Sequence, residues 1–237
     1  MEISKNGVNP SPSPEPGEQS TPGRRYGGID HQERQRQRRE RLIAAALAVF
    51  GEQGYHPSTV RDVCRRAELT SRYFYESFTG MDALFEAVYL SVSRELMSKT
   101  MAALQSSPLE PEKLAEGAIR TFLEFIREDP RRARVTLVDA QNVGPGTSRI
   151  SNEANRDFAA LTASFIELLY PDLQAKTGLS PAFISNGLLG AVMRMATVWV
   201  EDKCATPVED VLRNMMGFYL ASIRYADDLL VQARAGG

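Results

Sequence analysis

A cluster of hydrogen-bond donors occupies seven consecutive residues in the first third of the chain. The segment Ser71–Ser77 contains two serines, two tyrosines and one arginine. Such side chains bind base edges and phosphate oxygens of nucleic acids, and arginine paired with guanine is the commonest specific contact. The pattern therefore predicts that Arg72 reads a base. Ser71, Tyr73 and Ser77 are predicted to read bases or to position the helix on the nucleic acid, with core packing as the alternative for Tyr73.

Two short amphipathic helices must position these donors. Thr59 is a candidate N-cap with Asp62 at N3, a capping box with a shorter acid, and apolar residues follow at i, i+3, i+4 and i+7. Thr70 is a second N-cap candidate, and Phe74 and Phe78 give the next helix an apolar face. Two helices joined by a tight turn are typical of a helix-turn-helix that fits a major groove, although any packed helical hairpin has the same spacing.

This window resembles the N-terminal signature of TetR-family transcriptional regulators. The resemblance lies within residues 38–90 and rests on Thr59–Val63, Ala67, Leu69, Thr70, Phe74, Tyr75, Phe78, Ala83 and Leu84. It implies an all-α protein with an N-terminal three-helix helix-turn-helix DNA-binding domain and a C-terminal helical ligand-binding and dimerisation domain. It also implies phosphate contacts from Thr59, Thr70 and Tyr75.

Two positions depart from the family pattern. Glu68 stands where the family usually has glycine in the turn, and a non-glycine residue at positive φ costs on the order of 1 kcal/mol. Met81 stands where a lysine usually touches a phosphate at the start of the fourth helix. We therefore expect a strained or slightly different turn, and one phosphate contact that is absent or supplied by another residue.

Positive charge is concentrated around the predicted DNA-binding domain. The 237-residue chain has a net charge of −2, but residues 24–73 hold 11 Lys/Arg against 6 Asp/Glu, a net of +5. A localised basic region is what phosphate binding needs, whatever the total charge of the chain. Arginines of a predicted first helix over 30–53, Arg38 among them, are candidates for phosphate contacts, with a solvated charged helix as the alternative.

Composition divides the chain into three parts. Residues 1–28 are rich in Pro, Ser and Gly and predict a disordered tail, in which Arg24 and Arg25 either reach a minor groove or belong to a solvated linker. Residues 29–80 hold the helix-turn-helix domain, and residues 81–237 read as helices that form the ligand-binding and dimerisation domain. The last two predicted helices, about 181–203 and 207–233, carry surplus apolar surface for a dimer interface or a monomer core.

By the resemblance, the C-terminal domain holds a pocket for a mostly hydrophobic small molecule. Asp139 and Arg194 are candidates to orient it, and pairing of Arg194 with Glu201, Glu209 or Asp210 is the structural alternative. Core packing explains each apolar candidate equally well or better. These candidates are Met97, Phe122, Phe125, Val138, Phe165, Met193 and Trp199.

Together these features predict a homodimeric transcriptional regulator, a repressor that a small hydrophobic ligand releases from a palindromic double-stranded operator. The alternative is a helical protein–protein adaptor that binds neither DNA nor ligand. We expect no enzyme, metal or cofactor, since HExxH, GxSxG, P-loop and metal-spaced cysteine motifs are absent and the sequence has only two histidines. We also expect no signal peptide and no membrane-spanning segment, and hence a cytoplasmic protein.

Overall fold

The computed structural model describes residues 26–141 and 143–235. Within these ranges the secondary structure is helical throughout, which confirms the all-α prediction. The predicted arm residues Arg24 and Arg25, and the tail up to residue 25, lie outside the described residues. The helices are α1 Tyr26–Gln53, α2 Val60–Ala67, α3 Ser71–Ser77, α4 Met81–Ser106, α5 Pro111–Glu128, α6 Pro130–Ala133, α7 Pro145–Leu169, α8 Leu173–Thr177, α9 Pro181–Glu201 and α10 Val208–Ala235.

Helices α1 to α3 form a three-helix head. The predicted capping box at the start of α2 is present: the Asp62 backbone N–H donates to the Thr59 hydroxyl at 3.2 Å, and the Thr59 N–H donates to the Asp62 carboxylate at 3.1 Å. The apolar faces meet in a core that includes fully buried Phe50, Val63 and Phe74. Burial of these side chains fixes the direction in which α2 and α3 turn their polar faces.

The first turns of α4 join this core, so the head is continuous with the rest of the protein. Fully buried Phe85 lies with its ring centroid 5.5 Å from Phe50 and 5.1 Å from Tyr55. The Tyr55 hydroxyl also donates to the Asp82 carboxylate in the first turn of α4. Helix α4 therefore moves with the head at its N-terminal end.

A second joint connects the head to α6. Helix α6 continues into a π-helical turn, Arg134–Val138, and a 3₁₀ turn, Asp139–Gln141. The Asp139 carboxylate accepts a hydrogen bond of 3.1 Å from the Tyr55 N–H, and α1 crosses α6 so closely that a Cβ on Gly51 would overlap the Arg131 side chain. Glycine permits this approach, because any larger residue would separate the two helices.

Helices α4, α5, α7, α9 and α10 form the body behind the head. Helix α7 packs on α4 and α9, and α10 packs on α5 and α9. The sequence did not predict α8, a single helical turn anchored by buried Leu173 and ended by Gly178 at φ 74°. A five-residue segment has too little periodicity for a sequence pattern to reveal a helix.

Candidate DNA-binding surface and ligand cavity

Helix α3 presents a polar surface that its buried aromatic residue orients. Phe74 is fully buried, whereas the side chain of Arg72 is 84% exposed and the residue Tyr75 is 64% exposed. Ser71 is also exposed, and Tyr73 and Ser77 are half-buried at the edge of this surface. The face that α3 turns to solvent thus carries one cation, one carboxylate, one phenol and one hydroxyl, with a second phenol and a second hydroxyl at its edge, and donors of this kind suit a helix that enters a major groove.

The Thr70 and Thr59 hydroxyls differ in their availability. Thr70 is the N-cap of α3 but makes no side-chain capping bond, and it is exposed, so its hydroxyl can donate to an external acceptor. The Thr59 hydroxyl instead donates to the Asp62 carboxylate at 2.6 Å. This hydrogen bond lowers the pKa of Asp62, and the carboxylate therefore stays charged and holds the hydroxyl.

Helix α1 supplies arginines that brace α2 and α3. The Arg38 guanidinium lies 4.4 Å from the ring centroid of Tyr73, and its side chain is only 20% exposed. Arg41 donates to the Ala67 carbonyl at 2.7 Å, which satisfies one of the free carbonyls at the end of α2. These arginines hold the two short helices on α1, since a cation over an aromatic face and a charged donor on a carbonyl are both favourable.

The turn between α2 and α3 is left-handed at Glu68, which lies at φ 53° and ψ 43°. Its backbone N–H donates back to the last turn of α2, as in a helix that ends on glycine. The turn therefore places a residue with a Cβ in the left-handed region, which agrees with the first of the two expectations, a strained turn. Met81, the second departure, is half-buried and packs against the core of the head.

A cavity of about 210 Å³ lies in the body between α4, α5, α7, α8, α9 and α10. Lining residues extend along α4 from Tyr89 to Leu104, a span of about 22 Å at 1.5 Å per residue. Most of the lining is aliphatic or aromatic. Its polar side chains are hydroxyls and one amide, Asn155, and none of the described lining residues is charged.

The tyrosines of the lining stay neutral. Burial raises the pKa of Tyr89 and of Tyr170, and it raises the pKa of Tyr219 to about 12. These phenols can donate a hydrogen bond to a ligand, but they cannot balance a negative charge inside the cavity. The cavity is thus suited to an uncharged, elongated molecule or to the uncharged part of a larger one.

Comparison with known proteins agrees with this architecture. The sequence profile of bacterial regulatory proteins of the tetR family matches residues 42–88, from the second half of α1 to the first turns of α4. The chain carries the DNA-binding domain of the TetR family. It is therefore a DNA-binding transcriptional regulator and not an enzyme.

The chain is also similar to a curated regulator and to solved structures of regulators. The transcriptional activator FasR of Mycolicibacterium smegmatis is 28% identical over 166 residues, which cover 70% of this chain and 74% of FasR. The fatty acid degradation regulator FadR of Bacillus halodurans matches 79% of this chain and 96% of its own, with a TM-score of 0.69 at 16% identity. FadR of Bacillus subtilis, solved in complex with stearoyl-CoA, matches 76% and 96%, with a TM-score of 0.68 at 15% identity. The two FadR structures share the TetR fold with this chain.

Four of the nine predicted ligand-binding residues of this TetR-family protein line the cavity: Phe122, Phe125, Phe165 and Met193. The other apolar candidates lie elsewhere. Met97 is a half-buried residue of α4 outside the lining, and Val138 lies on a shallow polar concavity beside the π-helical turn. Trp199 is buried between α5, α9 and α10, where its indole N–H donates to the Thr206 carbonyl at 2.8 Å.

The two charged candidates also lie outside the cavity. Asp139 binds the Tyr55 N–H in the joint between head and body. Arg194 is exposed on the shallow concavity, and the alternative prediction that it pairs with Glu201, Glu209 or Asp210 is wrong within the described residues. Glu209 pairs with Arg120 instead, and Asp210 pairs with Arg213 at 2.8 Å.

Sequence reasoning missed the polar residues of the lining. Tyr89, Ser93 and Thr100 lie on one face of α4 together with Leu96 and Leu104. Their spacing of i, i+4 and i+11 matched the buried stripe of the helix, and polar residues on an apolar stripe are a signal for a polar contact in the interior. Thr136 and Asn155 gave no such signal, because their segments carry no clear stripe.

Proposed function

We propose that this TetR-family protein is a homodimer that binds a palindromic operator through α3 and changes its DNA affinity when a long-chain acyl ligand enters the cavity. The observation that carries the proposal is a mostly apolar cavity that α4 borders over about 22 Å and that has no charged residue among its described lining residues.

Arg72 is assigned to direct base reading, because its guanidinium is exposed on the helix that enters the groove. Tyr75 and Thr70 are assigned to phosphates, since both are exposed at the edges of the same surface. Ser71 and Ser77 complete the surface. Tyr73 and Arg38 stack on each other, and we therefore assign them to the support of α3.

The dimer is proposed to form through α9 and α10. These helices expose large apolar side chains, including Phe183 at 85% and Phe218 at 54% exposure, together with Val198, Tyr225 and Val231. A contiguous apolar surface of this kind on a DNA-binding regulator marks an interface between subunits. A two-fold axis through this surface would place two α3 helices on one duplex, and this requires a palindromic operator.

Helix α9 combines a packed side with an exposed apolar side. Contrary to the sequence expectation, its 21 residues are long and apolar enough to cross a membrane. Within the fold, α9 packs on α7 and lines the cavity, while the side that bears Phe183 and Val198 remains exposed. We assign that side to the partner subunit and the protein to the cytoplasm, where its DNA lies.

The ligand is proposed to be a long acyl chain in thioester linkage. A free fatty acid inside the cavity would bury a carboxylate without a cation, which costs several kcal/mol or raises its pKa. A thioester removes that charge, and its polar carrier can remain outside. FadR of Bacillus subtilis, which shares the fold, was solved with stearoyl-CoA, and this supports the class of ligand.

The direction of regulation has two candidates. Repression is the prediction from the sequence, while the relative FasR is named a transcriptional activator. A reporter gene behind the selected operator separates the two. Loss of the regulator raises expression if the protein is a repressor and lowers expression if it is an activator.

The test of the proposal combines operator selection with ligand titration. DNA selected from random sequence by the full chain should contain one palindrome, and Arg72→Ala should relax one position in each half-site. Stearoyl-CoA should then change operator affinity by about 5- to 150-fold, the usual range of allosteric coupling. Butyryl-CoA, free CoA and stearate are the controls; equal effects of butyryl-CoA and stearoyl-CoA would refute an acyl-chain site.

A further inference from the structure

The outer face of α3 contains one acidic residue, Glu76, in its last turn. One of its carboxylate oxygens is hydrogen-bonded to Arg72, and the other lies at ion-pair distance from Arg38. Oε1 accepts from Arg72 Nε at 3.0 Å, and Oε2 lies 4.0 Å from a terminal nitrogen of Arg38. Glu76 thus connects the proposed base-reading arginine of α3 to an arginine that α1 holds against Tyr73.

Local energetics disfavour a glutamate at this position. The C-terminal turn of a helix is the negative end of its dipole, where a carboxylate is unfavourable. The order of the pair, arginine first and glutamate four residues later, is also the weaker of the two possible orders on a helix. A carboxylate on a DNA-binding surface further repels phosphates. Neither helix stability nor phosphate binding therefore explains why a glutamate occupies position 76.

The geometry of the Arg72 contact gives a reason for the carboxylate. Glu76 binds Nε of the guanidinium, which leaves both terminal nitrogens of Arg72 without a partner among the described residues. A bidentate guanine contact uses two parallel N–H groups of the arginine on O6 and N7. A side chain that is 84% exposed otherwise samples many rotamers, and the loss of that freedom on binding weakens the contact.

We propose that Glu76 is a positioning residue that sets the base specificity of Arg72. Its hydrogen bond to Nε restrains the guanidinium in the absence of DNA. Glu76 also disfavours the alternative contact of Arg72 with the nearest phosphate. Arg38, stacked on Tyr73 and buried on most of its surface, fixes the second oxygen of the carboxylate in turn. This inference rests on the proposed role of Arg72 as the base reader.

The experiment measures how well the operator is distinguished from a variant that carries a substitution at the position Arg72 reads. A bidentate arginine–guanine pair supplies about 5- to 150-fold of such discrimination. In Glu76→Ala we expect discrimination to fall by about fivefold or more, while affinity for nonspecific DNA rises because one negative charge is removed. Glu76→Gln, whose amide oxygen still accepts from Nε without a charge, should give an intermediate value.

Glu52→Ala is the matched control. Glu52 pairs with Arg66 at 2.7 Å on the same domain but outside α3, so its removal changes the net charge equally. This variant should raise nonspecific affinity to a similar degree and leave base discrimination unchanged. If Glu52→Ala lowers discrimination as much as Glu76→Ala, the effect is one of charge alone and the proposal is wrong.

A double-variant cycle tests whether Glu76 acts through Arg72. In an Arg72→Ala background, Glu76→Ala should cause no further loss of discrimination at that base position. An equal loss in both backgrounds, or unchanged discrimination in Glu76→Ala, would overturn the inference. If Arg72→Ala itself leaves discrimination intact, Arg72 is not the base reader and the proposed function fails at that step. This result is distinct from a failure of the inference about Glu76.

Discussion

Replacing Glu68 with glycine should stabilise the DNA-binding head. Glu68 lies at φ 53°, a left-handed conformation that costs a residue with a Cβ about 1–2 kcal/mol. Two smaller effects oppose the gain. Glycine adds about 0.4–1 kcal/mol of entropy to the unfolded chain, and the substitution removes an exposed ion pair of 3.7 Å with Arg41 that contributes about 0.5 kcal/mol at most.

The expected net gain of Glu68→Gly is about 0.5 kcal/mol, which is small against the uncertainty of global unfolding measurements. Glu68→Ala is therefore the informative reference, because it also loses the ion pair but keeps the strained Cβ. The glycine and alanine variants should differ by about 1 kcal/mol, the cost of the Cβ at this φ. The Arg41 hydrogen bond to the Ala67 carbonyl is unchanged in both variants.

Hydrogen–deuterium exchange of the α2 and α3 amides gives the local readout. A difference of about 1 kcal/mol corresponds to roughly fivefold slower exchange in the glycine variant than in the alanine variant. Amides of α9 and α10 serve as the internal control and should exchange equally in both proteins. Exchange in α2 that is equal in the two variants, or faster with glycine, would refute the claim that the turn stores strain.

Three further predictions concern the groove contact, the cavity and the joint. Tyr75→Phe should weaken binding to all DNA sequences about equally in a band shift, and a change confined to one base would contradict the phosphate role. Ala118→Trp, which fills the cavity, should abolish the effect of stearoyl-CoA on DNA affinity, whereas Ala102→Trp on the exposed side of α4 should not. Burial raises the pKa of Asp139 above its ordinary 3.8, so the folded state binds the carboxyl proton more tightly than the unfolded state does. The free energy of unfolding therefore falls as the pH rises from 3.8 through the raised pKa. Urea titrations of Asp139→Asn at several pH values should lack this component of the slope, and an unchanged slope would be evidence against it.

The head was predictable from sequence because its signals are local. The capping box of Thr59 and Asp62 spans four residues, and the i, i+4 pair of Phe74 and Phe78 lies within a single helix. From these spacings alone, the outward direction of Arg72 follows. The ion pairs that restrain this surface could not be predicted in the same way, since Arg38 approaches Glu76 from a different helix.

The ligand cavity was predictable only in part. Helical periodicity shows that Phe122 and Trp199 face inward, but it does not show whether the facing side chains meet or leave a space. Trp199 meets its neighbours and fills a core between α5, α9 and α10, whereas Phe122 borders the cavity. The difference depends on how helices distant in sequence are spaced, and no short window contains that information.

Asp139 shows the same limit at the joint between head and body. Its position among apolar pocket candidates made it a candidate ligand residue, yet its carboxylate binds the backbone of Tyr55, 84 positions earlier in the chain. Burial of a carboxylate is costly unless it is hydrogen-bonded or paired, and here the Tyr55 N–H donates to it while Arg134 Nε lies at ion-pair distance, 3.9 Å away. Asp139 is therefore a structural residue at the boundary between head and body.

Two elements touch both the cavity and the head, and we expect an effect of a ligand on DNA binding to pass through them. Helix α4 lines the cavity from Tyr89 onward, while its first turns belong to the core of the head. The π-helical turn after α6 lines the cavity at Thr136 and ends at Asp139, which binds Tyr55. Both routes converge on the end of α1 around Tyr55, whose ring packs on Phe85 and whose hydroxyl binds Asp82.

Because the head shares one core, a displacement at this end of α1 moves α2 and α3 with it rather than bending them separately. A ligand that shifts α4 or the π-helical turn therefore changes the orientation of the whole recognition surface, and in a dimer it changes the separation of the two α3 helices. Occupancy can do so only to the extent that the ligand binds one arrangement more tightly than the other. If the ligand is the proposed acyl chain, its length would decide how far along α4 the cavity is filled and would set this difference.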